Sequence, residues 1–387
     1  MDKPKIKPGI DNLLEDTSWL NGKRIALLTN SSGVNEELRS DLDLLMEKGI
    51  RVIKLFGPEH GFWGAEADTV SVSNEIEPGY RIPIFSLFGT TTKPVPEMLN
   101  GIDIVIYDIQ DVGLRFYTYI YSLAYTMEEC GKREIKVIVL DRPNPLSGKV
   151  EGPVIEKKFE SFVGGYGLAL RYGLTAGELA LYYNKRFKMN VDLEVVKMKG
   201  WKRWMYYDDT NLLWNNPSPN IPSFEHLLLY PGFCLIEGTN VSEGRGTVHP
   251  FKYIGAPWID SHSLFNEMQR VPHPGISFRE RSFIPLTSKH ANELCRGLEF
   301  FVENRETMRP IELALDLIST IKRLYPEEFE WDTSSHRASG RYHFDLLMGN
   351  DKYRLAIDEG KGGEELSKIW TEEMKEFEER VREFWLY

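Results

Sequence analysis

Residues 103–111 read DIVIYDIQD, an aliphatic and aromatic run that ends in charge. Apolar residues without alternation mark a strand buried on both faces, as in a parallel sheet. A strand that stops at Asp108, Gln110 and Asp111 delivers those side chains to one rim of the sheet. The pattern repeats on either side in RIALLTN (24–30), RVIKLF (51–56), IPIFSLF (82–88), KVIVLDRP (136–143) and LEVVKM (193–198).

Helical spacing separates these runs. Leu38, Leu42, Leu45 and Met46 predict a helix over 35–49 with Gly49 as its C-cap. A short helix is expected from Pro96, and another over 117–132 closed by Gly131. One over 175–187 opens on Thr175 with Glu178 three residues on, a capping box. Buried strands alternating with amphipathic helices predict an α/β fold, a Rossmann-like three-layer parallel sheet over residues 1–205. The remainder, 206–387, is rich in Trp, Pro and Gly and has long loops, so a smaller α+β domain is expected there. Helices are predicted at 261–270, 291–297, 310–324 and 363–384, with short strands such as LEFFVEN between them.

The totals limit the function. A chain of 387 residues exceeds one typical core. The net charge of −11 argues against a nucleic-acid binder, which needs a basic stripe, and leaves a small-molecule substrate as the expected partner. Cys130, Cys234 and Cys295 fit neither a zinc spacing nor a disulfide framework and read as buried thiols. The N-terminus MDKPKIKPGIDNLL lacks an apolar secretory core, and no run approaches the ~20 apolar residues of a membrane span. The chain as written therefore reads as cytoplasmic, although a removed leader would leave the same trace. The sequence leaves the oligomeric state open.

Ligands of open parallel sheets bind outside the carboxyl ends of the strands. The candidates are the polar residues just past each strand: Asn30 after the first, Glu59 and His60 after the second, then Asp108, Gln110, Asp111 and Arg115, then Asp141, Arg142 and Asn144. TNSSGV after the first strand lacks the three glycines of a dinucleotide fingerprint, and no GxxxxGK[ST] is present, so no nucleotide cofactor is expected. Eight scattered histidines without HExxH give no metal expectation, and no GxSxG elbow supports a serine nucleophile. Carboxylate chemistry remains. Glycosidic cleavage commonly uses two carboxyl groups, one of them an acid with a raised pKa. Glu59, flanked by Phe56, Phe62 and Trp63, fits a partly desolvated acid, with Asp108 or Asp111 as its partner and His60 tuning it. The same residues have plainer readings: Gly57-Pro58 as a tight turn, Asp108 and Asp111 as helix caps, Arg115 as an ion-pair partner, DRPNP as a rigid turn. Glu237, Glu243 and Arg245 can be a solvated cluster in a loop that also holds Asn240. The tyrosines from Tyr117 to Tyr125 can pack a helix, with Tyr117 at its first turn the one placed for a sugar. A non-catalytic sugar-binding module and a metal-dependent hydrolase or deacetylase remain as alternatives.

In order, the chain carries LFGPEHGFWG, YDIQDVGLRFYTYIYSL, VLDRPNPLSG, VEGPV, SFVGGYGLALRYGLTAGELA, WNNPSPNIPS, LYPGFCLIEGTNVSEGRGTVHPFKYIGAPWID and FDLLMG. This set resembles the exo-β-N-acetylmuramidase (NamZ-type) family of peptidoglycan hydrolases over nearly the whole chain. The resemblance implies release of N-acetylmuramic acid from non-reducing ends, and an active site in the cleft between the two domains. It also implies that the PEHG glutamate, Glu59 here, is catalytic. Gln110, Asp111, Arg115, Arg142, Asn144, Glu243 and Arg245 would line the cleft by the same carry-over. Where a histidine is expected before GLTAGELA, this chain has Tyr172, a departure expected to alter preference or pH response.

Overall fold

The computed structural model describes residues 5–66, 75–334 and 340–387. The strands of the first half are β1 (Ile25–Thr29), β2 (Val52–Gly57), β3 (Glu75–Ile76), β4 (Pro83–Ser86), β5 (Ile104–Asp108), β6 (Lys136–Leu140), β7 (Val150–Val154), β8 (Ala169–Tyr172) and β9 (Leu193–Val196). Seven of them form one sheet in the order β3-β4-β2-β1-β5-β6-β9. All neighbours pair in parallel except β3 and β4 at the edge. The chain winds outward from β1 in one direction and from β5 in the other, so the topological switch point lies between them.

Successive side chains of a strand face opposite sides, and here each side has its own core. Ile25, Leu27, Ile104, Ile106, Ile138 and Leu140 face one core with Leu42 and Leu45. Ala26, Leu28, Val105, Tyr107, Val137 and Val139 face the other, which continues into Leu229, Phe233, Leu313 and Leu317 of the second half. The sheet and the second half thus share one apolar interior.

The second half holds a three-stranded antiparallel sheet of β10 (Tyr253–Ala256), β11 (Ile276–Phe283) and β12 (Cys295–Val302), in the order β10-β12-β11. Helices Phe224–Phe233 and Ser261–Met268 pack against it, and Pro310–Leu324 packs against those two helices. Residues just past 205 remain tied to the first half: Tyr207 N donates to Pro145 O (3.0 Å) and Asn215 Nδ2 to Ser31 O (2.8 Å). The C-terminus returns there too, with Leu386 N donating to Glu178 Oε1 (2.7 Å) and Tyr387 OH to Asp141 Oδ2 (2.8 Å).

Several expectations shift. The helix expected over 35–49 is Asp41–Glu47, because Leu38 takes φ 64° and Ser40 accepts from Asp43 N as the N-cap. The helix expected at 291–297 is absent: the chain turns there and enters β12, whose Leu298 and Phe300 are fully enclosed. The long helix expected over 363–384 is divided into Gly363–Ser367 and Thr371–Val381, joined and followed by single 3₁₀ turns. The capping box at Thr175 and Glu178 is present, and all three cysteines are buried. Among the described residues, no helix is long and apolar enough to cross a membrane.

Candidate active site

β2 ends at Gly57, and Gly61 N donates to Pro58 O (2.9 Å) to close a tight turn. Within it His60 adopts φ 70°, a left-handed conformation uncommon for a residue with a Cβ. The turn buries Glu59 to 4% exposure and carries His60 back, so that its Nδ1 lies 2.8 Å from Glu66 O. Glu59 Oε2 accepts a 2.6 Å hydrogen bond from Thr118 Oγ1. Thr118 is the N-cap residue of helix Tyr119–Gly131, yet its hydroxyl does not cap that helix. The hydroxyl that ordinarily satisfies a helix end is committed to the carboxyl instead.

Glu59 and His60 open into a cleft of about 380 Å³, counted with its solvent-open part, which Phe116, Tyr117 and Tyr119 also line. The rest of its lining comes from after β9 and from the second half: Ser218, Asn220, Ile221, Tyr230, Arg245 and Phe251. Two halves of the chain therefore build one site, whose lining includes a carboxyl, a guanidinium and several aromatic rings. Tyr119 OH donates to Pro217 O (2.8 Å) and ties the two parts of the lining together. Arg245 is held by Glu237, whose Oε1 accepts from Nη2 (2.7 Å) and Nε (3.2 Å), and its guanidinium lies 5.1 Å from the Phe251 ring centroid.

The family profile described as exo-beta-N-acetylmuramidase NamZ, N-terminal, matches residues 25–225, and its C-terminal counterpart matches 228–387. The chain is 45% identical to the peptidoglycan beta-N-acetylmuramidase NamZ of Bacillus subtilis (strain 168), over 100% of this chain and 92% of that one. The chain belongs to the NamZ family. Crystal structures of two DUF1343 family proteins from Bacteroides fragilis NCTC 9343 resemble it as well. One is 33% identical with a TM-score of 0.90 and full coverage of both chains. The other is 30% identical with a TM-score of 0.76 and 99% coverage of both.

In this NamZ-family chain the sheet's switch point is filled by the protein itself. Arg142 forks onto Asp108, with Nη2 to Oδ2 at 2.8 Å, and also donates to Val34 O (2.8 Å). Thr29 Oγ1 bonds Asp41 Oδ2 and lies 2.9 Å from Asp108 O. Gly33 packs so closely that a Cβ there would sit 2.4 Å from Asp41 Oδ2 and 2.8 Å from Asp108 O. Burial raises the pKa of both carboxyls above the usual range, that of Asp41 well above it, while Arg142 opposes the rise.

These contacts correct several expected roles. Asp108 and Arg142 form a buried ion pair beneath the rim, so neither is a cleft group. Arg115 is fully enclosed and donates to Pro153 O (2.7 Å), Leu168 O (2.9 Å) and Leu347 O (2.7 Å), so it pins the two halves together instead of meeting a ligand. Asn144 shapes the turn at 144–147 and packs on Gly113, where φ is 81° and a Cβ would lie 2.4 Å from Asn144 Oδ1. Gln110 Nε2 donates to Asp111 O (2.7 Å) and Pro143 O (2.8 Å). Asn240 closes a distant loop through Glu328 O (2.7 Å) and Glu330 N (3.0 Å). Asn30 Oδ1 accepts from Ser32 N (2.9 Å) and Oγ (2.6 Å).

Asp111 lies behind the cleft wall. Its Oδ2 accepts from Gly113 N (2.8 Å) and from the hydroxyl of Tyr172, the residue at the departing position, and burial pushes its pKa up to about 6. Glu237 and Glu243 stand against Arg245 and are not among the cleft-lining residues, while Tyr117 is. Among the described residues, no three His, Cys, Asp or Glu side chains converge as a metal ion would require. Sequence reading passed over Thr118, Ser218, Asn220, Tyr230 and Phe251. The signal for two of them was NPSPN, 216–220, where prolines hold Ser218 and Asn220 in an extended loop.

Proposed function

We propose that this chain is an exo-β-N-acetylmuramidase that releases N-acetylmuramic acid from the non-reducing ends of peptidoglycan fragments, with Glu59 as its general acid. One observation supports the assignment of roles: a single cleft is lined by the buried Glu59 carboxyl and by Arg245, together with Tyr117, Tyr119 and Phe251. The full-length likeness to the Bacillus subtilis muramidase supports the reaction class.

Glu59 delivers a proton to the glycosidic oxygen as its bond to the anomeric carbon breaks. The Thr118 hydroxyl holds that carboxyl in one orientation. Arg245 meets the lactyl carboxylate that separates muramic acid from glucosamine, because a guanidinium matches a carboxylate in plane and charge. Glu59 is the one carboxylate among the described cleft-lining residues, which favours the substrate's own 2-acetamido oxygen as the group that bonds to the anomeric carbon as the leaving oxygen departs; water then opens the oxazolinium ion and gives its proton to the Glu59 carboxylate.

Glu59→Gln tests the reading on a muramyl-glucosamine disaccharide. A loss of about 10²–10⁴ in kcat is expected from removing a general acid. A fall of less than about tenfold would remove Glu59 from that role. Equal turnover of a chromogenic muramide and the matching glucosaminide would remove Arg245 from its role.

A further inference from the structure

We infer that Lys289 is a positioning residue that tunes the charge of the Arg245 anion site through Glu243; the inference rests on the reading of Arg245 as the lactyl-carboxylate partner. Among the carboxylates against Arg245 are Glu237 at 2.7 Å and Glu243, whose Oε1 is 3.5 Å from Nε. Glu243 is 2% exposed, so water screens its charge poorly. One guanidinium against two carboxylates carries a net charge of about −1, which repels an anionic substrate. Lys289 adds a cation to this group: its Nζ is 3.0 Å from Glu243 Oε2, while the nearest approach of Arg245 is to Oε1.

The ammonium is held in place. It donates within a shell of main-chain oxygens, Ile236 O (3.0 Å), Val241 O (3.1 Å) and Glu237 O (3.3 Å). These belong to the loop that carries Glu237 and Glu243, so Lys289 also fixes the two carboxylates relative to each other. His343 Nε2 stands 3.9 Å from Glu237 Oε2 on the far side. Without Lys289, Glu243 would be a buried carboxylate with one cation to turn to. It would draw Arg245 toward itself and away from the cleft, since an unpaired buried charge is costly.

The test uses the full chain, with a muramide bearing the free lactyl carboxylate and its lactyl carboxamide analogue. Lys289→Met is expected to raise KM for the carboxylate substrate about tenfold, with kcat changed less than about threefold, and to leave the carboxamide unaffected. Lys289→Arg should restore most of the loss. Lys289→Met combined with Glu243→Gln should also restore it, because the surplus negative charge is gone; a merely structural lysine would not be rescued this way. Equal losses on both substrates, or no rescue by either route, would overturn the inference, and melting temperatures identify a variant that has simply unfolded. Arg245→Met separates the two readings. If it abolishes the preference for carboxylate while Lys289→Met does not, the Lys289 inference fails alone. If Arg245→Met leaves the preference intact, the carboxylate reading of Arg245 fails and takes the inference with it.

Discussion

Thr118 Oγ1 stands 2.6 Å from Glu59 Oε2, joining the turn after β2 to the start of helix Tyr119–Gly131. This hydroxyl does no capping, so its removal should cost the helix little and the carboxyl its orientation. Thr118→Val is expected to lower kcat by about tenfold and to cost about 1–3 kcal/mol of stability, the range for a buried acceptor that loses its donor. Thr118→Ser, which keeps the donor, should retain most activity. Steady-state kinetics alongside thermal unfolding separate the two effects, and an active Val variant would show that the bond does not orient Glu59.

Arg115 predicts the opposite pattern. Its guanidinium serves three carbonyls drawn from residues 153, 168 and 347, and it is not among the residues that line the cleft. Arg115→Met would remove the guanidinium donor from Pro153 O and Leu347 O, while Leu168 O keeps the Ile155 N–H (3.1 Å), at a cost of about 2–4 kcal/mol. The folded fraction should show an unchanged KM. Denaturant unfolding read against KM checks this; a KM that rises with stability intact would return Arg115 to the binding site.

The contrast between Thr118 and Arg115 shows what was legible in the sequence. Strand existence and burial were, because a parallel strand enclosed on both faces writes its environment directly into its residues, as in Ile104–Asp108. The rim position of Glu59 followed from the strand that ends just before it. The fate of a polar group was not legible. Arg115, Arg142 and Arg245 look alike as letters, and only contacts made across more than 30 residues for the first two separate the buried pins from the cleft residue. Local pattern also yields to local backbone: Leu38 kept the helical spacing but sits at φ 64° ahead of the true cap at Ser40. Phe251 was hidden because loops carry no periodicity, and Ser218 and Asn220 were marked only by the prolines of NPSPN.

The single carboxylate of the described cleft lining leads to a stereochemical outcome. Participation by the 2-acetamido group inverts the anomeric centre twice, so the first-formed N-acetylmuramic acid should be the β-anomer. Proton NMR of the early reaction reads this directly, and a thiazoline analogue of the muramic acid should inhibit competitively. An α-anomer as first product would show direct attack by water and call for a second carboxyl group.

Asp111 links the departing Tyr172 to pH. Burial raises its carboxyl from 3.8 to about 6, against the opposing hydrogen bonds from Tyr172, Gly113 and Val112. A carboxyl whose folded pKa lies above its unfolded value binds its proton more tightly in the folded state. Its contribution to stability is therefore fully present below about pH 4 and is lost as pH rises through about 6. The loss is on the order of 2–3 kcal/mol for a shift of this size. Asp111→Asn removes the titration but keeps an oxygen to accept from Gly113 N and the Tyr172 hydroxyl. The variant should gain on the wild type between about pH 4 and 7, with the difference levelling off above that. Comparing the two proteins cancels Asp141 and Asp345, whose pKa values are also raised to about 6. Urea unfolding at a series of pH values measures the difference, and parallel curves for the two proteins would show that Asp111 does not titrate there.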